Sequence, residues 1–135
     1  MRDNAASWTV APYFIVDDLV ATANFYRDKL GFAYERFWGE PPCFAMVRRR
    51  GVTIMLRQVV GTSGLMQPNR KPPDPEDFVW DAYLWIDGVD ALHDRYKANG
   101  VAIVRPLCNQ EYGMREFDIL DCNGFRLCFG EDVSQ

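Results

Sequence analysis

The sequence has very little histidine and no closely paired cysteines. His93 is the single histidine among 135 residues, and the four cysteines, Cys43, Cys108, Cys122 and Cys128, include no Cys-x-x-Cys pair. Zinc sites usually take their ligands from such closely spaced Cys and His residues. We therefore predict that the cysteines are free, buried thiols, as unpaired cysteines often are, and that they form no zinc site.

Long apolar runs and an excess of positive charge are also missing. No segment approaches the roughly 20 apolar residues of a membrane helix, and the first eight residues carry charge with no apolar stretch after them, so we expect no secretory signal. These features place the protein in the cytoplasm. The net charge of −4 argues against nucleic acid as a partner, because duplex binding depends largely on basic side chains.

What remains is the composition of an ordinary globular domain. Hydrophobic residues make up 48% of the chain and charged residues 25%, which is typical of a folded protein with one core. We expect a single domain over residues 1–135, with a half-repeat over 9–60, a connector over 61–79 and a second half-repeat over 80–130. The connector is predicted from six residues that interrupt regular structure: Gly61, Gly64, Pro68, Pro72, Pro73 and Pro75.

The first half-repeat begins with a short run of aromatic and β-branched residues over 9–16, which predicts a strand. Asp17 and Asp18 offer an N-cap for a helix whose apolar side chains recur at helical spacing until Gly31. Three further strands are predicted over 33–38, 43–49 and 52–59.

The second half-repeat follows the same order of elements. A strand is predicted over 81–86, then a helix from Val89 to a stop at Asn99-Gly100. The segment 86–89 aligns with 16–19 at an offset of 70 residues. Strands over 101–106, 115–120 and 125–129 complete the pattern. Because one helix covers only one face of each sheet, the sequence predicts an α+β fold in which two βαβββ modules curve as mixed sheets around a cavity.

Alternation along the strands identifies the side chains that face this cavity. Large and aromatic residues predominate there, as they do in ligand pockets, although packing between the sheets would use the same residues. The acidic side chains on these strands would favour a cationic ligand, or would form ordinary ion pairs with Arg57 and Arg126. The candidate ligand-binding residues are Tyr13, Trp38, Phe44, Met55, Arg57, Trp80, Asp81, Tyr83, Trp85, Tyr112, Glu116, Asp118 and Cys128.

Several of these segments resemble the vicinal oxygen chelate superfamily, which includes glyoxalase I, extradiol dioxygenases, and the bleomycin-resistance and fosfomycin-resistance proteins. The resemblance rests on residues 14–19, 24–32, 86–92 and 113–124, and so extends over nearly the whole chain. The bleomycin-resistance branch looks most similar, on account of 54–58 and 112–117. That branch implies a dimer that sequesters a bulky antibiotic in grooves without chemistry.

The resemblance also implies where a metal would bind. In metal-dependent members, four strands each present one His, Glu or Gln to a divalent ion, and these positions fall on Ala11, Met55, Asp81 and Cys128 here. Only Asp81 is a plausible ligand for a hard metal, and Cys128 for a soft one. His93 lies on the second helix, away from every cavity strand, so it is no candidate general base.

We therefore expect a non-enzymatic small-molecule binding protein without metal, cofactor or catalytic residues. It would be a cytoplasmic homodimer that sequesters an aromatic or cationic ligand, such as a bleomycin-type antibiotic. The alternative is a glyoxalase-type, metal-dependent lyase or isomerase, or an enzyme related to the dioxygenases. A third reading is a structural member that dimerises and binds only proteins.

Overall fold

The structure is a computed structural model that describes residues 7–59 and 79–134. Apart from Val79, the predicted connector lies outside the described residues. The described residues form two helices and seven strands. In chain order these are β1 (Tyr13–Ile15), α1 (Leu19–Asp28), β2 (Phe44–Arg49), β3 (Val52–Arg57), β4 (Ala82–Trp85), α2 (Val89–Ala98), β5 (Ala102–Asn109), β6 (Met114–Leu120) and β7 (Arg126–Asp132).

The strands form two mixed sheets, one for each half of the chain. The first sheet has the order β1-β3-β2, and the second has the order β4-β7-β6-β5. In each sheet the strand before the helix runs parallel to the last strand of the same half, and the other pairs are antiparallel. Helix α1 packs on β2 and β3, and α2 packs on β5, β6 and β7. The predicted α+β fold class is confirmed.

Helix α1 begins and ends where the sequence predicts. The Asp18 carboxylate accepts a hydrogen bond from the amide of Ala21 at 3.0 Å, which makes Asp18 the N-cap. The chain leaves the helix through Gly31, whose φ of +79° lies in the left-handed region that glycine adopts without steric cost. The helix buries Leu19, Ala23 and Tyr26 against the first sheet, as the spacing indicates.

The strand predicted over 33–38 is wrong. Only its two ends pair with β2, through isolated bridges between Ala33 and Arg48 and between Trp38 and Phe44. There are four residues between the bridges on one side and three on the other, so regular pairing cannot continue from one to the next. The extra residue acts like a β-bulge, and the intervening chain leaves the sheet edge.

Other differences from the sequence predictions are smaller. The first strand is confined to β1, whereas β5 and β7 continue to Asn109 and Asp132. All four cysteines are free thiols, as expected, but the expectation of burial is wrong for Cys108 and Cys122, which are exposed. Neither helix is long and apolar enough to cross a lipid bilayer, as far as the described residues extend.

One apolar core joins the two halves of the chain on their helix-bearing sides. The ring of Phe14 stacks on that of Phe125, with centroids 4.0 Å apart. The Tyr26 hydroxyl donates a 2.6 Å hydrogen bond to Asp121, and the Tyr96 hydroxyl donates one of 2.7 Å to the carbonyl of Leu30. These contacts join the two halves on the helix-bearing sides of their sheets.

Candidate functional site

Each sheet has a face directed away from its helix, and we call these the first and second open faces. On β3, Ile54 and Leu56 are buried towards α1, whereas Met55 and Arg57 lie on the first open face and are half-buried. On β6, Phe117 contacts Tyr96 of α2, so its neighbours lie on the second open face. The assignment predicted from alternation is therefore confirmed on both strands.

The first open face brings together five of the predicted residues. Tyr13 of β1 lies beside Met55 in the parallel ladder, and Phe44 of β2 lies opposite Arg57. Trp38 bridges to Phe44, and their ring centroids are 5.6 Å apart. The rings of Tyr13 and Phe44 are 6.4 Å apart. Three aromatic rings and a thioether thus form a continuous apolar surface around one guanidinium group.

The guanidinium of Arg57 has a buried nitrogen without a hydrogen-bond partner. Its Nε is inaccessible to solvent, and no acceptor contacts it among the residues that the structure describes. An unpaired buried donor usually costs about 1–3 kcal/mol. The sequence predicts that Arg57 pairs with an acidic side chain of the site, but the ion pairs of the described chain leave it out.

The second open face carries an aromatic row along β4. The ring centroids of Trp80 and Tyr83 are 5.0 Å apart, and those of Tyr83 and Trp85 are 4.9 Å apart. Trp85 is 74% exposed, so the Trp85 end of this row is not covered by the rest of the described chain. Such a row presents a large apolar surface whose side chains lose little conformational freedom on binding.

Glu116 of β6 fixes the middle of this row. Its carboxylate is fully buried and accepts a 2.6 Å hydrogen bond from the Tyr83 hydroxyl. The Tyr112 hydroxyl donates a second, short hydrogen bond to the same carboxylate. Arg105 completes the set with an ion pair of 2.7 Å. Each of these partners is a hydrogen-bond donor, so the buried charge of Glu116 is well satisfied.

Asp118, two residues further along β6, is equally buried and has three donors. Arg105 approaches it with two nitrogens, at 3.0 Å and 2.9 Å, in the bidentate arrangement that a guanidinium group favours. Arg126 approaches from β7, at 2.9 Å from Nε, and the indole of Trp80 donates at 3.0 Å. The predicted pairing of Arg126 with an acidic residue of the site is therefore present.

The hydrogen bonds decide how these carboxyls titrate. Burial alone would raise the pKa of Glu116, but hydrogen bonds from Tyr112, Tyr83 and Arg105 lower it below its usual value. The pKa of Asp118 is lowered in the same way, against the effect of burial, chiefly by Arg105 and then Arg126. Both residues are therefore charged and paired at neutral pH, which leaves neither as a free general base.

Arg105 is the residue of this cluster that the sequence analysis missed. Ile103 pairs with Ile119 on the helix side, and strict alternation would place Arg105 on that side too. The register instead shifts between Ile103 and Arg105, so that Arg105 pairs with Asp118. This irregularity turns Arg105 to the second open face. Pro106, which lacks an amide proton, follows at a second register shift and was the available signal of an irregular edge strand.

The four positions that correspond to metal ligands do not form a metal site here. Ala11 has no donor atom, and Met55 offers only a soft thioether. The Asp81 carboxylate accepts a 2.8 Å hydrogen bond from the backbone amide of Arg126. Burial raises the pKa of the Cys128 thiol, and Asp118 raises it further, which opposes the thiolate that a metal requires. Across residues 7–59 and 79–134, no three His, Cys, Asp or Glu side chains converge as ligands.

The single histidine lies away from both open faces. His93 of α2 is edge-to-face with Phe117, on the helix side of the second sheet, with ring centroids 5.2 Å apart. Its Nδ1 contacts Asp94 at 3.0 Å. This is the position on the second helix, away from the cavity strands, that the sequence predicts.

Comparisons with known proteins agree with this architecture. Residues 8–129 match the model of the glyoxalase/bleomycin resistance protein/dioxygenase superfamily. A comparison with curated protein sequences gave no significant match. Among solved structures, a glyoxalase-related enzyme from Clostridium phytofermentans is 17% identical, with a TM-score of 0.72, and the match covers 98% of this chain and 100% of that one.

Two further structures show the same fold. TioX from Micromonospora sp. ML1 is 20% identical, with a TM-score of 0.65 and coverage of 90% of this chain and 98% of that one. Lactoylglutathione lyase from Agrobacterium tumefaciens is 18% identical, with a TM-score of 0.67 and coverage of 94% and 95%. From the model match over most of its length, the chain belongs to the glyoxalase/bleomycin resistance protein/dioxygenase superfamily.

Proposed function

We propose that the protein is a non-enzymatic binding protein that sequesters an aromatic small molecule in a groove between open faces. The observation that carries this proposal is the row of Trp80, Tyr83 and Trp85, which ends in a tryptophan that is 74% exposed. Large exposed apolar side chains that cluster on one surface usually mark an interaction site. A planar ligand can stack on the exposed ring of Trp85, which the neighbouring ring of Tyr83 supports at 4.9 Å.

The row is held in one conformation, which favours binding. The Tyr83 hydroxyl is fixed by Glu116, and the ring lies over Gly130 of β7, where a methyl group would come within 2.1 Å of the hydroxyl oxygen. Glycine is thus the residue that lets Tyr83 lie flat across β7. A surface that is already ordered loses less conformational entropy when a ligand binds.

The polar groups of the site support binding rather than catalysis. Acid–base catalysis needs a group that can exchange a proton with the substrate. Glu116 and Asp118 are buried and engaged by arginine side chains. The Cys128 thiol is buried, with a raised pKa. These groups therefore serve to fix the shape and charge of the second open face.

A second copy of the chain would complete the groove. The contacts between the two modules lie on their helix-bearing sides, through pairs such as Phe14 with Phe125 and Tyr26 with Asp121. The contacts described between the modules do not use the open faces, and two-fold dimers are the commonest oligomers. We propose that the first open face of one chain meets the second open face of the other, with the ligand between them.

Titration under tryptophan fluorescence tests the proposed function. Bleomycin-type glycopeptides and planar aromatic compounds would be added to the protein, and we expect a saturable change in emission with at least one of them. Trp85→Ala should weaken that binding by roughly 2- to 12-fold, which corresponds to a stacking contribution of about 0.5–1.5 kcal/mol.

Trp8→Ala is the matched control for this experiment. Trp8 is 99% exposed and precedes β1, so its loss should change the intensity of the emission but not the affinity. No saturable change with any compound at high micromolar concentration would exclude the proposed function. Equal weakening by both substitutions would show that the aromatic row is not the binding surface.

A further inference from the structure

We propose that the ligand is an aromatic acid and that Arg57 binds its carboxylate. This inference rests on the proposed function and reverses the sign of the charge that the sequence suggests for the ligand. The starting observation is that the half-buried Arg57 is left out of the ion pairs that the arginines of the second open face form among the described residues. A guanidinium group pairs with a carboxylate through charge-assisted hydrogen bonds, so the terminal nitrogens of Arg57 would bind a carboxylate that enters the first open face.

The first open face is cationic. The strands β1, β2 and β3 contain no Asp or Glu at all, yet they carry Arg48, Arg49 and Arg57. Arg48 lies opposite Thr53, on the same face as Met46, whose sulfur it contacts at 3.4 Å. Arg49 is directed to the helix side, where it donates to the carbonyl of Leu30. Two arginines therefore share the first open face with no acidic side chain from its strands.

The carboxylates of the second open face do not balance this charge. Glu116 and Asp118 are fully buried beneath Arg105 and Arg126, so two negative charges face two positive ones. Asp81 uses one carboxylate oxygen to accept from the amide of Arg126. Glu116 and Asp118 are thus engaged within their own sheet, and the strands of the first open face supply no acidic partner to Arg57.

The surroundings of Arg57 also suit an aromatic body. Phe44 is its direct cross-strand neighbour, and Tyr13 and Trp38 flank Phe44 at ring distances of 6.4 Å and 5.6 Å. The guanidinium of Arg36 lies 4.7 Å from the centroid of the Trp38 ring, which adds a further positive group at this end. An acid with a flat ring would place its carboxylate on Arg57 and its ring against these side chains.

Three probes with one ring system and different charges test the inference. We would measure the binding of 2-naphthoate, 2-naphthamide and 2-naphthylmethylamine to the full chain by calorimetry. We expect naphthoate to bind at least about tenfold more tightly than the amide, and the amine to bind most weakly, since a charge-assisted hydrogen bond contributes about 1.5–3 kcal/mol. Arg57→Gln should remove the preference for naphthoate over the amide.

Arg95→Gln, which removes one exposed positive charge from α2, is the matched control and should keep the preference. If all three probes bind the wild-type protein equally, the proposal that the ligand is an acid is wrong, while the proposed function stands. If none binds, both the inference and the proposed function are contradicted for these ring compounds. If Arg57→Gln instead changes the mass of the protein in light scattering, the guanidinium serves the subunit interface, and the inference is wrong.

Discussion

At the scale of single residues, the second open face depends on how two buried carboxylates are neutralised. Glu116 and Asp118 have no exposed surface, and a buried charge without partners is strongly unfavourable. Arg105 contacts both of them and holds the pair together across two strands. Arg126 and Trp80 support only Asp118, whereas Tyr83 and Tyr112 support only Glu116. Arg105 is therefore the residue on which both halves of the cluster rely.

Arg105→Met tests this dependence. Methionine keeps the length and apolar stem of the side chain but leaves Glu116 and Asp118 without their shared partner. Breaking one side of a buried ion pair typically costs about 3–5 kcal/mol, and we expect a loss of this size in the free energy of unfolding measured with urea. Arg27→Met is the control, because its partner Asp28 is at the surface and the loss of an exposed pair has little effect.

The pH dependence of the same variant gives a second readout. In the wild type the folded-state pKa values of Glu116 and Asp118 are lowered. Their stabilising contribution is therefore fully present above the ordinary carboxyl pKa and is lost as the pH falls through the lowered values. Asp121, with a raised pKa, acts in the opposite sense. In Arg105→Met the loss of stability on acidification should begin at a higher pH than in the wild type. If stability falls over the same acidic pH range in both proteins, the assigned role of Arg105 is contradicted.

At the scale of elements, the two modules begin their helices with the same long-range device. The first amide of α1, on Leu19, donates at 2.7 Å to the side chain of Gln58, just after β3. The first amide of α2, on Val89, donates at 3.0 Å to Glu131 in β7. In each case the acceptor lies in the last strand of the same module or in the residue directly after that strand. Helix and sheet are thereby joined at the point where an unpaired amide would otherwise remain.

Glu131 should contribute more to stability than Gln58, because its charge also interacts favourably with the positive end of the helix dipole. We expect Glu131→Ala to lower the free energy of unfolding by about 1–2 kcal/mol, in the range of capping interactions. Glu131→Gln keeps an acceptor and should cost roughly half as much. Urea titrations at low and high salt would separate the two terms, since only the charge term is screened.

Gln58→Ala provides the comparison for a neutral acceptor. Its effect should be smaller, because Asp18 also caps α1 locally through the amide of Ala21, and it should not depend on salt. A salt-dependent loss at Gln58, or none at Glu131, would contradict this account of the helix starts.

Elements with a strong periodic pattern could be predicted from the sequence, and irregular ones could not. The apolar spacing of α1 and α2 and the alternation on β3 and β6 gave the correct faces, because each pattern reflects burial directly. The bridges at Ala33 and Trp38 and the register shift at Arg105 depend on an extra residue relative to a partner strand. Such a mismatch is a property of two strands together, so neither segment alone reveals it.

The candidate site divides in the same way. Tyr83 and Trp85 were predicted from alternation and Trp80 from its place at a strand end, and the structure brings the three into one row. The sequence could not show that Glu116 and Asp118 form ion pairs with Arg105, because strict alternation places Arg105 on the opposite face. The preference for a cationic ligand rested on these acidic residues, whose pairing with Arg57 and Arg126 the sequence left as the alternative.

At the scale of the whole molecule, each open face of a single chain carries exposed aromatic side chains. Trp85 is 74%, Tyr112 is 58% and Tyr13 is 49% exposed, and all three belong to the predicted groove. Apolar side chains that cluster on one exposed surface typically mark an interface or a binding site. The arrangement of the two open faces on opposite sides of a shared core provides each with room for a partner.

We therefore predict that the protein is a homodimer in solution. Light scattering at micromolar concentration should give a mass of twice the chain mass of 15.6 kDa. Because a two-fold interface uses the same patches on both chains, one substitution acts twice. Tyr13→Asp would place two buried charges at the interface, so it should shift the mass towards that of one chain. Val20→Asp, on the exposed side of α1, introduces the same charge away from both open faces and should leave the dimer intact. A wild-type mass of one chain at every concentration would mean that the groove is not completed by a second copy.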